Sequence, residues 1–292
     1  MSSKSPHCRE AVVQTRNPIL RRQSQAVGFH EPTGAAVGGA PTSGGTGSPT
    51  PESLQQMFDA PPAPGALTIG DVIVKTGILF VLLLITAVIG WQAIGTPLGW
   101  IVAAGAIVGL ILGFVNALKR EVSPPLVMAY ALAQGLFIGG ISKLYNDTYA
   151  ASGEYDGTPI VQQAVLGTLV AFAVMLVLYR TRIIKVTGRF MKIMMVAMIS
   201  YLVIALISLV AQLFGVGGGW GFYGVGGLGI LLCMAGVALA SLSLALDFEA
   251  ITQSIAAGLP ERESWRMGFA LMVTLIWLYL EILRLLAILN RR

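Results

Sequence analysis

The stretch from Gly224 to Leu246, GVGGLGILLCMAGVALASLSLAL, carries no charge and runs directly into Asp247-Phe248-Glu249. A hydrocarbon core of about 30 Å requires roughly 20 consecutive apolar residues in helical form, so this run reads as a membrane span. A helix is the form in which one isolated segment satisfies its own backbone groups at that depth. Six further runs have the same character: Val72–Ala93, Leu98–Leu118, Pro124–Leu144, Pro159–Tyr179, Met191–Phe214 and Met267–Leu289. The expected fold is therefore an all-α integral membrane protein, a bundle of seven transmembrane helices over residues 66–292. The connections are short, which favours antiparallel neighbours.

Composition agrees. Only 11% of the 292 residues are charged and 55% are hydrophobic, whereas a soluble domain carries about 25% charge. The net charge of +5 is accounted for by basic connections. No basic stretch is interleaved with aromatics as a base-stacking surface requires, so nucleic acid is not an expected partner. The two cysteines, Cys8 and Cys233, set no disulfide framework or metal spacing. Both histidines, His7 and His30, precede the first span. That excludes intramembrane bis-histidine haem ligation, His-Glu-x-x-His zinc chemistry and a Ser-His relay. There is no Gly-x-Ser-x-Gly or Gly-x-Gly-Asp either, so no enzyme is expected, and no resident cofactor.

Residues 1–65 are rich in Gly, Pro, Ser and Thr and lack the hydrophobic core of a signal peptide. Such a segment buries too little apolar surface to offset its ordering entropy and is expected to be a disordered tail. Arg16 to Arg22 gives it a weak attraction to anionic lipid.

Lys and Arg set the orientation. The tail, the second connection (Lys119, Arg120) and the fourth (Arg180, Arg182, Lys185, Arg189, Lys192) are basic, whereas the third holds Asp147, Glu154 and Asp156. The N-terminus is thus expected in the cytoplasm, in a multi-pass protein of the cell (inner or plasma) membrane. An odd number of spans puts Arg291 and Arg292 outside, against the rule, unless the seventh segment does not fully cross. Gly105, Gly109 and Gly113, and Gly135, Gly139 and Gly140, form small-residue faces for close helix approach. Asn116, Gln134, Gln162 and Gln163 are expected to hydrogen-bond between helices.

The chemistry is expected where acids enter the spans. A charge at the bilayer centre costs roughly 2.5–3.5 kcal/mol on insertion scales, so an embedded acid marks a functional site by default. Asp247 stands at the end of the sixth span, and Glu281 lies about 20 Å along the seventh. They can meet only if the sixth helix continues inward or the seventh begins below the membrane surface. Two carboxylates sharing a poorly hydrated site cannot both ionise easily, and a shared proton would respond to pH. Deprotonated, the same oxygens suit a hard cation such as Ca²⁺. The plainer readings are that Asp247 is a solvated helix end, and that Glu281 and Arg284 are an i,i+3 pair neutralising one face. Glu249 is read as solvated.

Leu-Ala-Leu-Asp-Phe-Glu-Ala-Ile (244–251) resembles the sixth-helix motif of the Bax inhibitor-1/YccA-like family. Leu-Tyr-Leu-Glu-Ile-Leu-Arg-Leu-Leu (278–286) is similar to that family's last-helix motif, with Glu in place of the usual Asp, and residues 133–142 look like its third helix. The resemblance covers roughly residues 66–289. It implies a seven-helix bundle with a pH-sensitive di-acidic site controlling a calcium leak. By matching position, Asp247 and Glu281 take the acidic roles as proton sensor and transient calcium ligands. Arg120 is the nearest match to the family's basic gate partner, with Lys119 as its rival. The expected function is a pH-regulated cation leak channel, most plausibly for Ca²⁺. The expected partners are lipid, calcium ion and other membrane proteins. The alternatives are a proton-coupled secondary transporter using the same acids, and a membrane interaction protein in which they are structural.

Overall fold

The computed structural model describes residues 65–150, 160–219, 221–224 and 226–290. The tail assigned to residues 1–65 lies outside these, apart from Gly65. Seven helices follow in order: α1 Ile69–Ala93, α2 Trp100–Leu118, α3 Pro124–Ala150, α4 Ile160–Arg180, α5 Gly188–Leu213, α6 Gly226–Ala256 and α7 Ser264–Leu289. All seven are long and apolar enough to cross a membrane, and among the described residues there are no strands. The protein is a multi-pass membrane protein.

The helix starts follow local chemistry. Thr68 and Asp71 form a capping box: Asp71 N–H donates to Thr68 Oγ1 at 3.2 Å, and Thr68 N–H donates to Asp71 Oδ2 at 3.0 Å. Together they satisfy donors that the first turn leaves open. Thr187 does the same for α5 through Phe190 N–H, at 3.2 Å. Two helices outrun the apolar runs that predict them by six residues or more. α3 continues from Leu144 to Ala150, supported by a Lys143–Asp147 pair at 2.6 Å one turn apart. α6 continues ten residues past Leu246 to Ala256, because Phe248, Ile251 and Ile255 keep its helical apolar face packed and no breaker intervenes before Gly258.

α7 is the axis of the bundle. It packs against α1, α3, α4 and α6, while α2 and α5 are peripheral. Its 26 residues span about 39 Å at roughly 1.5 Å per residue, enough to cross. α1 packs chiefly on α3 rather than on its sequence neighbour α2. The reason is glycine. At Gly135 and Gly139 of α3 an added Cβ would collide with the backbone of Leu83 and Ala87 on α1, and Gly90 of α1 meets Leu136 of α3 in the same way. Gly105, Gly109 and Gly113 of α2 likewise seat against Ala133, Gln134 and Tyr130 of α3. Asn116 adds an interhelical bond, its Nδ2 donating to the Leu126 carbonyl at 3.3 Å.

The face at which α1 begins, here the near face, is tied together by polar contacts. Leu67 N–H donates to the Leu259 carbonyl and Glu261 N–H to the Gly65 carbonyl, each at 2.8 Å, so residues 65–67 pair with the α6–α7 connection. Lys75 of α1 meets Glu261 at 2.7 Å. Arg266 of α7 reaches across to the backbone carbonyls of Lys119 and Arg120. The connection after α5, with short 3₁₀ turns at Val216–Gly219 and Gly221–Gly224, lies at the opposite, far face.

Candidate functional site

The extension of α6 decides where Asp247 lies. Its position is nine residues, or about 13 Å, inside the helix end at about 1.5 Å per residue. The reading of Asp247 as a solvated helix end is thereby corrected: Oδ2 is buried and has no hydrogen-bond partner. The Thr274 hydroxyl of α7 reaches the same carboxylate. No ion pair among the described residues involves Asp247. A polar oxygen withdrawn from water without a partner costs about 1–3 kcal/mol, and more when it is charged. Asp247 therefore stands as an incompletely satisfied acid inside a span.

Glu281 is in a different environment. It is 3% exposed and bonded on its own helix: Arg284 Nη1 donates to Oε1 at 3.1 Å and to Oε2 at 3.3 Å, and Trp277 Nε1 donates to Oε1 at 3.2 Å. Gly236 of α6 lies against its carboxylate, where a Cβ would touch both Glu281 and the Tyr201 hydroxyl. Tyr223 donates to Tyr201 at 3.1 Å, and the Arg284 guanidinium stacks over the Tyr223 ring at 4.5 Å. Glu281 is thus the anion of a closed cluster built from α5, α6, α7 and the connection after α5. The i,i+3 pairing read from the sequence is present.

The structure does not bring the two acids together. Because α6 and α7 run antiparallel, Asp247 lies opposite Thr274, and Glu281 lies opposite Gly236. Seven residues separate Thr274 from Glu281 and eleven separate Gly236 from Asp247, an axial offset of about 10–16 Å at about 1.5 Å per residue. A proton cannot be shared by direct contact over that span. Arg120 is not at the site either. It is exposed in the connection between α2 and α3, and its carbonyl accepts from Arg266. Lys119 is similarly placed. The physical reason is that α2 is peripheral and meets the bundle through α3, not through α6.

Glu249 is not simply solvated: Tyr179 Oη donates to it at 3.0 Å and also meets Thr252 at 3.0 Å, joining α4 to α6. Among the described residues no group of three or more His, Cys, Asp or Glu is placed to hold a metal. Thr274, Tyr201 and Tyr223 were not singled out from the sequence. Thr274 had a signal, being a polar residue two turns before Glu281 in an apolar run. The tyrosines had none, since a lone Tyr in a span is ordinary packing.

The fold and its embedded acids define a seven-span membrane protein with ionisable groups on its central helix pair. The family described as Bax inhibitor 1 like matches residues 17–291, and the chain belongs to it. None of the curated proteins compared with the chain matches it.

Proposed function

We propose that this chain is a pH-responsive cation leak, with Ca²⁺ the expected cargo and Asp247 the residue that exchanges a proton for the cation. The single observation that carries the reading is the buried, unpartnered Oδ2 of Asp247 in the near half of the bundle. A carboxylate in that position is stable when it holds a proton or when a cation sits against it, and these occupants exclude one another. Its oxygens are hard ligands of the kind Ca²⁺ takes. One carboxylate and one hydroxyl give a transient contact, which is what a conducted ion requires. Membership of the Bax inhibitor 1 like family supports the same reading.

In this scheme Glu281 has another task. Already neutralised by Arg284, it contributes the far closure of the pathway, with Tyr201 and Tyr223 filling the space between α5, α6 and α7. The reading is tested by Ca²⁺ entry into proteoliposomes holding the purified full chain. Flux above that of protein-free liposomes, rising as pH rises and Asp247 loses its proton, is the expected result. Saturable, proton-driven uptake abolished outright by Asp247→Asn would instead identify a secondary transporter.

The near face is proposed as the cytoplasmic one, which the basic connections support. Thr187 caps α5 at that face, and α3 ends and α4 begins at the other. A cysteine reporter at Thr187 should be protected from an impermeant reagent in intact cells, and one at Asp156 should be labelled. The reverse pattern would invert the assignment.

A further inference from the structure

The far half of the bundle holds a cavity of about 490 Å³ between α3, α5 and α7, which the leak reading does not use. Its base is the Arg284 guanidinium and its wall includes the Tyr223 ring. The ion pair there is asymmetric. The Arg284 side chain is 29% exposed and that of Glu281 only 4%, so the cation faces the cavity and the anion is turned away. Arg284 gives Nη1 to Glu281, which leaves most of its five N–H donors outside that contact. Gln212, exposed on the cavity wall, adds an amide donor.

The mouth has the opposite character. Leu144 and Leu209, 46% and 57% exposed, flank it on α3 and α5. Arg284 is five residues from the end of α7, about 8 Å below it at about 1.5 Å per residue. With the 26-residue helix, about 39 Å long, centred on a hydrocarbon core of about 30 Å, that level falls within a few Å of the boundary between headgroups and acyl chains. A cationic base with apolar flanks at that level fits an amphiphile with an anionic head.

We infer that this cavity binds a phospholipid of the far leaflet, its phosphate on Arg284 and Gln212 and its acyl chain along Leu144 and Leu209. Arginine is suited to this because its planar fork matches phosphate oxygens. The pair is neutral overall, but only its cation faces the cavity, so an anionic glycerol headgroup is preferred to a choline one, whose ammonium would add a second cation beside Arg284. The inference is independent of ion flux.

The test is native mass spectrometry of the full chain in detergent, titrated with phosphatidylglycerol or phosphatidylcholine. Phosphatidylglycerol should add as one tight copy, with phosphatidylcholine about ten-fold weaker because of its extra cation, the two sharing the same phosphate contact. Arg284→Ala alone would strand Glu281, so the variants are the neutral pair Glu281→Gln/Arg284→Gln and the cavity-filling Ala205→Trp, which leaves the ion pair intact. Both should lose the tight copy. Equal binding of the two lipids, or wild-type binding by Ala205→Trp, overturns the inference. Displacement of the lipid by excess inorganic phosphate would overturn the lipid as source and leave a site for water-borne anions.

Discussion

Asp247 of α6 lies opposite Thr274 of α7, two helical turns short of Glu281. The two acids of the central helix pair therefore have separate environments, one with no ionic partner and one neutralised by Arg284, and their substitutions should separate as well.

Glu281→Gln removes the anion from a pair that is otherwise complete and leaves Arg284 unneutralised. The cation left behind is part-exposed, so losing its hydrogen-bonded counter-charge should cost about 1.5–3 kcal/mol. Asp247→Asn removes a charge that has no ionic partner and keeps an oxygen for Thr274, and should cost less than about 1 kcal/mol or stabilise. Thermal unfolding of the purified variants reads the difference. Equal destabilisation would mean that the two carboxylates act as one unit.

Gly139→Ala should destabilise by about 1–3 kcal/mol, because the new methyl meets the α1 backbone at Ala87, which cannot yield as a side chain tip can. Gly77→Ala in α1 is the control. Nothing lies within 4 Å of a Cβ there, and alanine is the better helix former. Thermal stability of the pair should order as Gly77→Ala at or above wild type and Gly139→Ala below it; the reverse order would refute the glycine-mediated approach of α1 and α3.

Removing residues 1–60 should leave insertion and thermal stability unchanged, whereas removing residues 1–67 should cost about 2 kcal/mol or more. The longer truncation takes away Leu67, 2% exposed, and the backbone bonds to Leu259 and Glu261. Unfolding of the two truncated chains distinguishes the outcomes, and loss of insertion on removing residues 1–60 would show that those sixty residues are needed for the fold.

The number and approximate limits of the spans were legible because apolar length is a strong signal, and so was the glycine stepping of α2 and α3. The end of α6 was not. Asp247 and Glu249 mark a boundary on a hydropathy scale, yet the helix is carried through them by Phe248, Ile251 and Ile255. The level at which the acids sit followed from that hidden extension and from the antiparallel register of α6 on α7. Register depends on which small residue faces which side chain, here Gly236 on Glu281, and a single sequence does not record such pairings. Arg120 was placed by matching position alone. Its distance from α6 reflects the peripheral docking of α2, a tertiary choice with no local mark.

The most direct test of the central claim is the pH dependence of Ca²⁺ flux through wild-type and Asp247→Asn proteins in liposomes, compared from about pH 5 to about pH 8. The account predicts a wild-type flux that rises with pH and a flat profile for Asp247→Asn. Glu281→Gln, where it folds, should retain the slope and raise the resting flux. A wild-type slope in Asp247→Asn, or wild-type liposomes no leakier than protein-free ones at any pH, would contradict it.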